Sequence, residues 1–205
     1  SVTFSRGTAV GSTVLAEVKS QPLSTLVGQM LQAGDNTLAE MMVRVAAKTA
    51  GLDGSTTSVG QLIGATMKDL GLDITGLAAK DASGESPANL VPPLLVARLM
   101  VKVKANEADL GIIYSGLPIG GQTGDLYDRF SGANAIAAGQ VVAKPGWISG
   151  ERSLGGIINA ADGTPLAFAF YGIGDAITRD PHGAPGNLST SPFSCVANHA
   201  KHPPG

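Results

Sequence analysis

Only one of the 205 residues is cysteine, Cys195, so no disulfide can close within the chain. A reduced compartment and a secreted bacterial protein that uses no disulfides both accommodate that count. Aromatic residues make up 4% and charged residues 15%, so a core must be built from Ala, Val, Leu and Ile. Lys and Arg number 14 against 16 Asp and Glu, a formal net charge of −2. Without a basic excess or a basic run, there is no electrostatic reason to expect nucleic acid or an anionic membrane surface as partner. No apolar stretch approaches the ~20 residues of a bilayer-spanning helix. No signal peptide opens the chain; it starts without Met and in mid-pattern, as if cut from something longer. His199 and His202 have helical spacing, but two histidines make a poor metal site, and with His182 they read as part of a solvated tail. Gly120–Gly124 (GGQTG) lacks the GxxxxGK[ST] spacing and a strand–loop–helix setting, so no phosphate cradle is expected there.

What the chain does have is length enough for a sizeable core, 28 glycines and a clear segregation of patterns. Thr13–Ser20 alternates as a strand. Leu23, Leu26, Val27, Met30 and Leu31 recur at helical spacing after Pro22. A second helix is expected from about Thr37, where Thr37-x-x-Glu40 matches a capping box. Its apolar face would be Leu38, Met41, Met42, Val45 and Ala46, with Gly51 as stop. Ser58–Leu70 predicts a third helix and Leu94–Val103 a fourth. Between them lies the polar loop DASGESPANLVPP, in which Asp81 and Ser83 read as turn-capping residues. The stretch 112–129 is loop-rich, and its Asp125 and Arg129 read as surface or structural residues. Val141–Phe170 then predicts three short strands joined by tight turns, Asp162-Gly163 the clearest of them. Helices followed by an antiparallel meander indicate an α+β fold. The prolines at 181, 185, 192, 203 and 204 exclude a continuous helix beyond residue 174. The expected division is therefore a domain over 1–174 and a Pro/Gly-rich, loop-like or disordered tail over 175–205.

Four stretches, in order, resemble the carboxy-terminal half of the penicillin-binding D-alanyl-D-alanine carboxypeptidase/endopeptidase family, peptidase family S13. MLQAGDNTLAEMMVR resembles the family's helix–Ser-x-Asn–helix segment, and DASGESPANLVPPLLVARLM its D-x-S-G-x-S-x-x-N-x-V-x-P stretch. LPIGGQTGDLYDRF resembles its Leu-Pro…Gly-Thr-Leu…Arg-Phe segment, and AKPGWISGERSLGGIINAADGTPLAFAF its Lys-Thr-Gly strand with the two strands that follow. The resemblance implies a β-lactamase/transpeptidase-like fold, an antiparallel sheet packed against helices and incomplete in this chain. It also implies an extracytoplasmic bacterial setting, peptidoglycan stem peptides or β-lactams as ligands, and no metal or organic cofactor.

In such enzymes a Ser-x-x-Lys helix supplies the nucleophile and its base. A Ser-x-Asn loop supplies a proton-shuttling hydroxyl and an orienting amide, and a Lys-Thr-Gly strand holds the substrate carboxylate. None of the eight lysines here has a serine three residues before it; the resemblance implies that the motif belongs to an upstream segment or chain that completes the domain. The Ser-x-Asn positions are Gly34, Asp35 and Asn36, so the hydroxyl is gone and the amide kept. At the strand motif Lys144 and Gly146 remain, while Pro145 stands for threonine and Trp147 for a small hydroxyl residue. Lys144 and Asn36 are thus the candidate catalytic residues. Gly34, Asp35, Pro145, Gly146 and Trp147 are the candidate substrate-binding residues. Lys48-Thr49-Ala50-Gly51 carries an extra residue and reads as a helix end. Two functional readings remain, a serine carboxypeptidase/endopeptidase whose nucleophile lies outside these residues, and an inactive relative that binds cell-wall peptide or a protein through the same cleft.

Overall fold

The computed structural model describes residues 2–8, 11, 14 and 16–174. Four helices come first: α1 Leu23–Ala33, α2 Asn36–Thr49, α3 Thr56–Asp69 and α4 Pro93–Lys104, followed by the short α5 Gly111–Gly116. A looping stretch with 3-10 turns at Gly124–Leu126 and Gly132–Ala137 leads into β1 Val141–Ile148, β2 Glu151–Asn159 and β3 Pro165–Ile173. The strands pair antiparallel in the order β1-β2-β3, so the fold is the α+β meander that the segregated sequence pattern implies.

Local chemistry fixes where the helices begin. Pro93 sits at the first helical position of α4, where a missing N–H costs nothing. The Ser55 hydroxyl accepts from Ser58 N–H at 3.3 Å and caps α3. For α2 the cap is Asp35, whose Oδ1 accepts from Leu38 N–H at 2.8 Å, and the expected Thr37–Glu40 capping box does not form. Asp35 already satisfies the third helical N–H, which leaves Thr37 inside the first turn. Glu40 turns outward instead and accepts from Ala82 N–H (2.6 Å) and Ser83 N–H (3.0 Å), tying α2 to the loop that precedes α4. The face of α2 also differs from expectation: Ala47 is fully buried, whereas Met41 and Val45 are more than half exposed. Gly51, at φ +81°, ends the helix as the sequence suggested.

The strand expected at Thr13–Ser20 is absent among the described residues of that segment, which form no regular element and are exposed. Alternation alone does not hold a strand without a ladder partner for its backbone groups. The tail beyond residue 174, with Cys195 and the three histidines, lies outside the described residues.

The sheet buries apolar side chains on both faces. Val142 and Ile157 meet Met100 and Val103 of α4 and Leu117 on one face. On the other, Val141, Ala143, Leu154, Ile158 and Phe168 close over Leu126, Phe130 and Ala137 from the looping stretch. Each Val, Leu, Ile, Phe or Met among them, fully buried, contributes about 1.5–3 kcal/mol. β1 and β2 approach closely at Gly156, which faces Ala143; a Cβ there would lie 2.3 Å from Val142 O and 2.5 Å from the Ala143 Cα. The hairpin turns are Ser149-Gly150, with Gly150 at φ +80°, and the Asp162-Gly163 turn, where Asp162 Oδ1 accepts from Thr164 N–H at 2.9 Å.

β1 is an edge strand whose outer side is bonded at its start. Gly120 N–H donates to Val141 O (2.8 Å) and Ala143 N–H to Pro118 O (3.0 Å). Backbone groups alternate sides along a strand, so the N–H that Pro145 lacks falls on this outer side and no ladder bond to β2 is lost. The same alternation places Lys144 and Gly146 on the helix-facing side and Pro145 and Trp147 on the other.

Candidate active site

Three segments converge on one point. The first is the end of α1, where Gly34 adopts a left-handed conformation (φ +61°, ψ +39°) and donates its N–H to Met30 O. The second is the 3-10 turn at Gly124–Leu126, held because Leu126 is wholly buried in the core and its carbonyl accepts from Gly121 N–H at 2.8 Å. The third is β1. Gln32 ties α1 to the end of α5, its Nε2 donating to the carbonyls of Gly116 and Leu117, both at 3.0 Å.

At the convergence the Lys144 ammonium donates to the Asp125 carboxylate in an ion pair. A Cβ built on Gly34 would lie 3.0 Å from Asp125 Oδ2 and 3.4 Å from Lys144 Nζ. A side chain at residue 34 would therefore be crowded by a carboxylate paired with the lysine. Asn36, two residues on, donates from Nδ2 to Glu85 Oε1 at 2.6 Å. This bond spans from α2 to the 81–89 loop, which Asp81 organises: its Oδ1 accepts from Gly84 N–H and Asn89 Nδ2, its Oδ2 from Ser86 N–H. Asp81 is a turn residue, as its sequence suggested.

These groups line a cleft of about 700 Å³ that includes Gly34, Asn36, Asp125, Arg129, Lys144, Pro145, Gly146 and Trp147. Of the seven residues singled out from the sequence, the cleft gathers Gly34, Asn36, Lys144, Pro145, Gly146 and Trp147; Asp35 instead caps α2. Gly146 faces Ser153 across the strands, and a Cβ at 146 would sit 2.3 Å from the Ser153 hydroxyl. Only glycine leaves that hydroxyl its place.

Asp125 and Arg129, read as surface or structural, both line the cleft. Burial, reinforced by the neighbouring Arg152 charge, lowers the Arg129 guanidinium below its usual value, and Asp128 and Asp125 oppose the shift. Ser153 and Glu151 also escaped the sequence reading. The Ser149-Gly150 turn pairs Ile148 with Glu151, and counting back from it sets Ser153 opposite Gly146, so that signal was available. For Asp125 only the approach of the 3-10 turn to α1 could have shown it.

The cleft shares Ser83, Gly84, Ile148, Glu151 and Ser153 with a second groove of about 800 Å³. That groove runs between α3, the 76–93 loop, α4 and the sheet, and Ile63, Met67, Leu77, Leu95 and Val96 give it an apolar lining. Tyr171 borders it; burial first, then the Glu151 carboxylate, raises its phenol above the usual value. Among the described residues no group of three or more His, Cys, Asp or Glu could hold a metal ion, and no helix is long and apolar enough to cross a membrane.

Comparison with known proteins gives this geometry a context. The carboxypeptidase DacB of Mycolicibacterium smegmatis is 31% identical over 172 residues, 82% of this chain and 37% of that protein. A D-alanyl-D-alanine carboxypeptidase of Actinomadura sp. is 32% identical over 200 residues, 92% of this chain and 34% of the relative. The chain thus spans about a third of the length of these relatives. The structure of penicillin binding protein 4 from Haemophilus influenzae, solved with a β-lactam, superposes with a TM-score of 0.72 at 24% identity, covering 88% of this chain and 42% of that one. A β-lactamase from Chitinophaga pinensis shares the fold at a TM-score of 0.59 and 17% identity, over 86% of this chain and 66% of the other. The D-Ala-D-Ala carboxypeptidase 3 (S13) family model matches residues 2–184, and this chain belongs to that family.

Proposed function

We propose that the Lys144 cleft binds peptidoglycan stem peptides and β-lactams, as one part of a bacterial, extracytoplasmic D-Ala-D-Ala carboxypeptidase/endopeptidase site, and that this chain alone does not turn them over. The observation that carries the reading is the juxtaposition of Lys144 and Gly146 on β1 with Gly34 and Asn36 across one cleft, in a chain of the S13 family. Asn36 offers the amide that would orient the peptide, and β1 the strand along which it would lie. The acyl-serine chemistry of such sites requires a serine activated by a lysine one helical turn away, and no Ser-x-x-Lys occurs in these 205 residues.

We place the missing nucleophile on an apolar helix, from an upstream segment or a separate chain, seated in the adjoining groove. The lining of that groove suits an apolar helix, and its mouth opens into the cleft beside Ser153. The alternative reading, an inactive binding relative, draws support from Gly34, Pro145 and Trp147. Loss of one positioned hydrogen-bonding group commonly costs about two to three orders of magnitude in rate.

Labelling with a fluorescent penicillin, beside direct binding of a muropeptide, tests the proposal. The chain alone should bind the muropeptide and take no covalent label. Saturable covalent labelling of the chain alone would overturn the inactivity, and absence of muropeptide binding would overturn the cleft assignment. Labelling of the full-length protein separates the two readings: strong and saturable for the enzyme, none for the inactive relative.

A further inference from the structure

We infer that Asp125 is a specificity-determining residue: an internal carboxylate that occupies the anion seat of Lys144, so that the cleft disfavours a peptide ending in a free carboxylate and accepts one whose carboxyl end is masked as an amide. The inference rests on the cleft being a peptide site, as proposed above, but its physical core stands on the structure alone.

A strand lysine facing a cleft attracts an anion only if its charge is available. Here the Lys144 ammonium donates to Asp125, and the pair sits directly against residue 34, with Asp125 Oδ2 3.0 Å from a Cβ built there. The backbone that carries the carboxylate is held in place. It belongs to a 3-10 turn anchored by the buried Leu126, and Gly124 approaches Gln32 so closely that a Cβ on it would lie 2.6 Å from the Gln32 side-chain oxygen and 2.9 Å from its carbonyl.

The remaining charge of the cleft gives no compensation. Beyond the pair, its lining residues Glu85 and Glu151 are acidic and Arg129 is basic, two against one. An incoming carboxylate must either displace Asp125 from Lys144 or share the ammonium with it, and in both cases it lies beside a carboxylate of like charge, which repels it. An amide end meets neither obstacle, and its carbonyl and N–H remain able to bond along β1. The side chains of Lys144 and Asp125 are 32% and 39% exposed. Partial exposure limits the pair to the strength of a surface ion pair, so the discrimination it imposes is about fivefold rather than a thousandfold.

The test compares N-acetyl-D-Ala-D-Ala as free acid with its C-terminal amide, binding to the chain and to Asp125→Asn being measured by calorimetry. The chain should bind the amide at least as tightly as the acid. In Asp125→Asn the acid should gain about fivefold relative to the amide, and adding Lys144→Met should abolish the gain. An unchanged acid-to-amide ratio in Asp125→Asn, or a fivefold preference of the unmodified chain for the acid, overturns the inference. Asp125→Ser serves as a second variant should the asparagine disturb folding.

If neither peptide binds any of these proteins, the peptide-site reading fails. Acetate, titrated against the Gly34 and Lys144 backbone amide resonances, then decides the inference on its own. A saturable shift that is about fivefold tighter in Asp125→Asn than in the unmodified chain supports it; equal affinity in the two, or no shift in either, sinks it.

Discussion

Gly34→Ala puts the reasoning about the site at risk in a measurable way, because two general expectations give opposite signs. Replacing glycine by alanine where the backbone suits alanine stabilises a protein by about 0.4–1 kcal/mol, through the unfolded chain. Gly34 does not suit alanine. It ends α1 at φ +61° and ψ +39°, where a Cβ crowds the following carbonyl at a cost of about 1–2 kcal/mol. The added methyl would also stand 3.0 Å from Asp125 Oδ2 and 3.4 Å from Lys144 Nζ, closer than ordinary packing allows. Both neighbours are ends of side chains that can give way, so this contact adds a few tenths of a kcal/mol at most. The sum is a destabilisation of about 1–2 kcal/mol. In a chain of this size that lowers the melting temperature by about 2–4 °C per kcal/mol. Urea denaturation followed by circular dichroism reads it directly. Asp125→Ala in the same background should recover only the contact part, leaving the backbone part. A neutral or stabilising Gly34→Ala would refute the left-handed assignment, and with it the packing of the carboxylate against residue 34. Full recovery by Asp125→Ala would refute the division between backbone and contact.

Two further outcomes follow from the same structure. Gly156→Ala should cost about 3 kcal/mol or more, because its methyl would collide with the backbone at Val142 and Ala143, whereas Gly163→Ala in the open turn, with nothing within 4 Å and φ +83°, should cost only about 1 kcal/mol. Equal effects of the two on the urea midpoint would contradict the β1–β2 register. Asp53 is held near a pKa of about 2, first by the Ser58 hydroxyl and then by Ser55. A carboxylate depressed in the folded state contributes stability above its unfolded value of 3.8 and loses it as pH falls through about 2. Ser58→Ala should therefore flatten the dependence of stability on pH between those values, and an unchanged slope in acid unfolding would show that the hydroxyl does not hold the carboxylate.

The sequence by itself determined the first four helices, the three-stranded meander after them, the α+β class and the family. Those depend on period, turn chemistry and motif order, all of which are local. Pro92-Pro93 starts α4 wherever the helix packs, and Asp162-Gly163 turns the chain whatever lies beneath it. Lys144 and Gly146 could be named as one side of a cleft because a strand motif carries its own spacing. Tertiary structure decided which neighbours complete that cleft. The Thr37–Glu40 pattern was a sound local signal that lost to Asp35, since only the fold offered Glu40 the N–H groups of Ala82 and Ser83. Asp125 lies 19 residues from Lys144 and 91 from Gly34 in sequence, and no spacing rule connects three segments of different type. Their meeting depends on Leu126 being buried in the core and Gln32 bridging to the 116–117 carbonyls. Charge pairing acts through space, so the ancestry of this site could be read along the chain, while the partner that occupies its lysine could be seen only once the chain was folded.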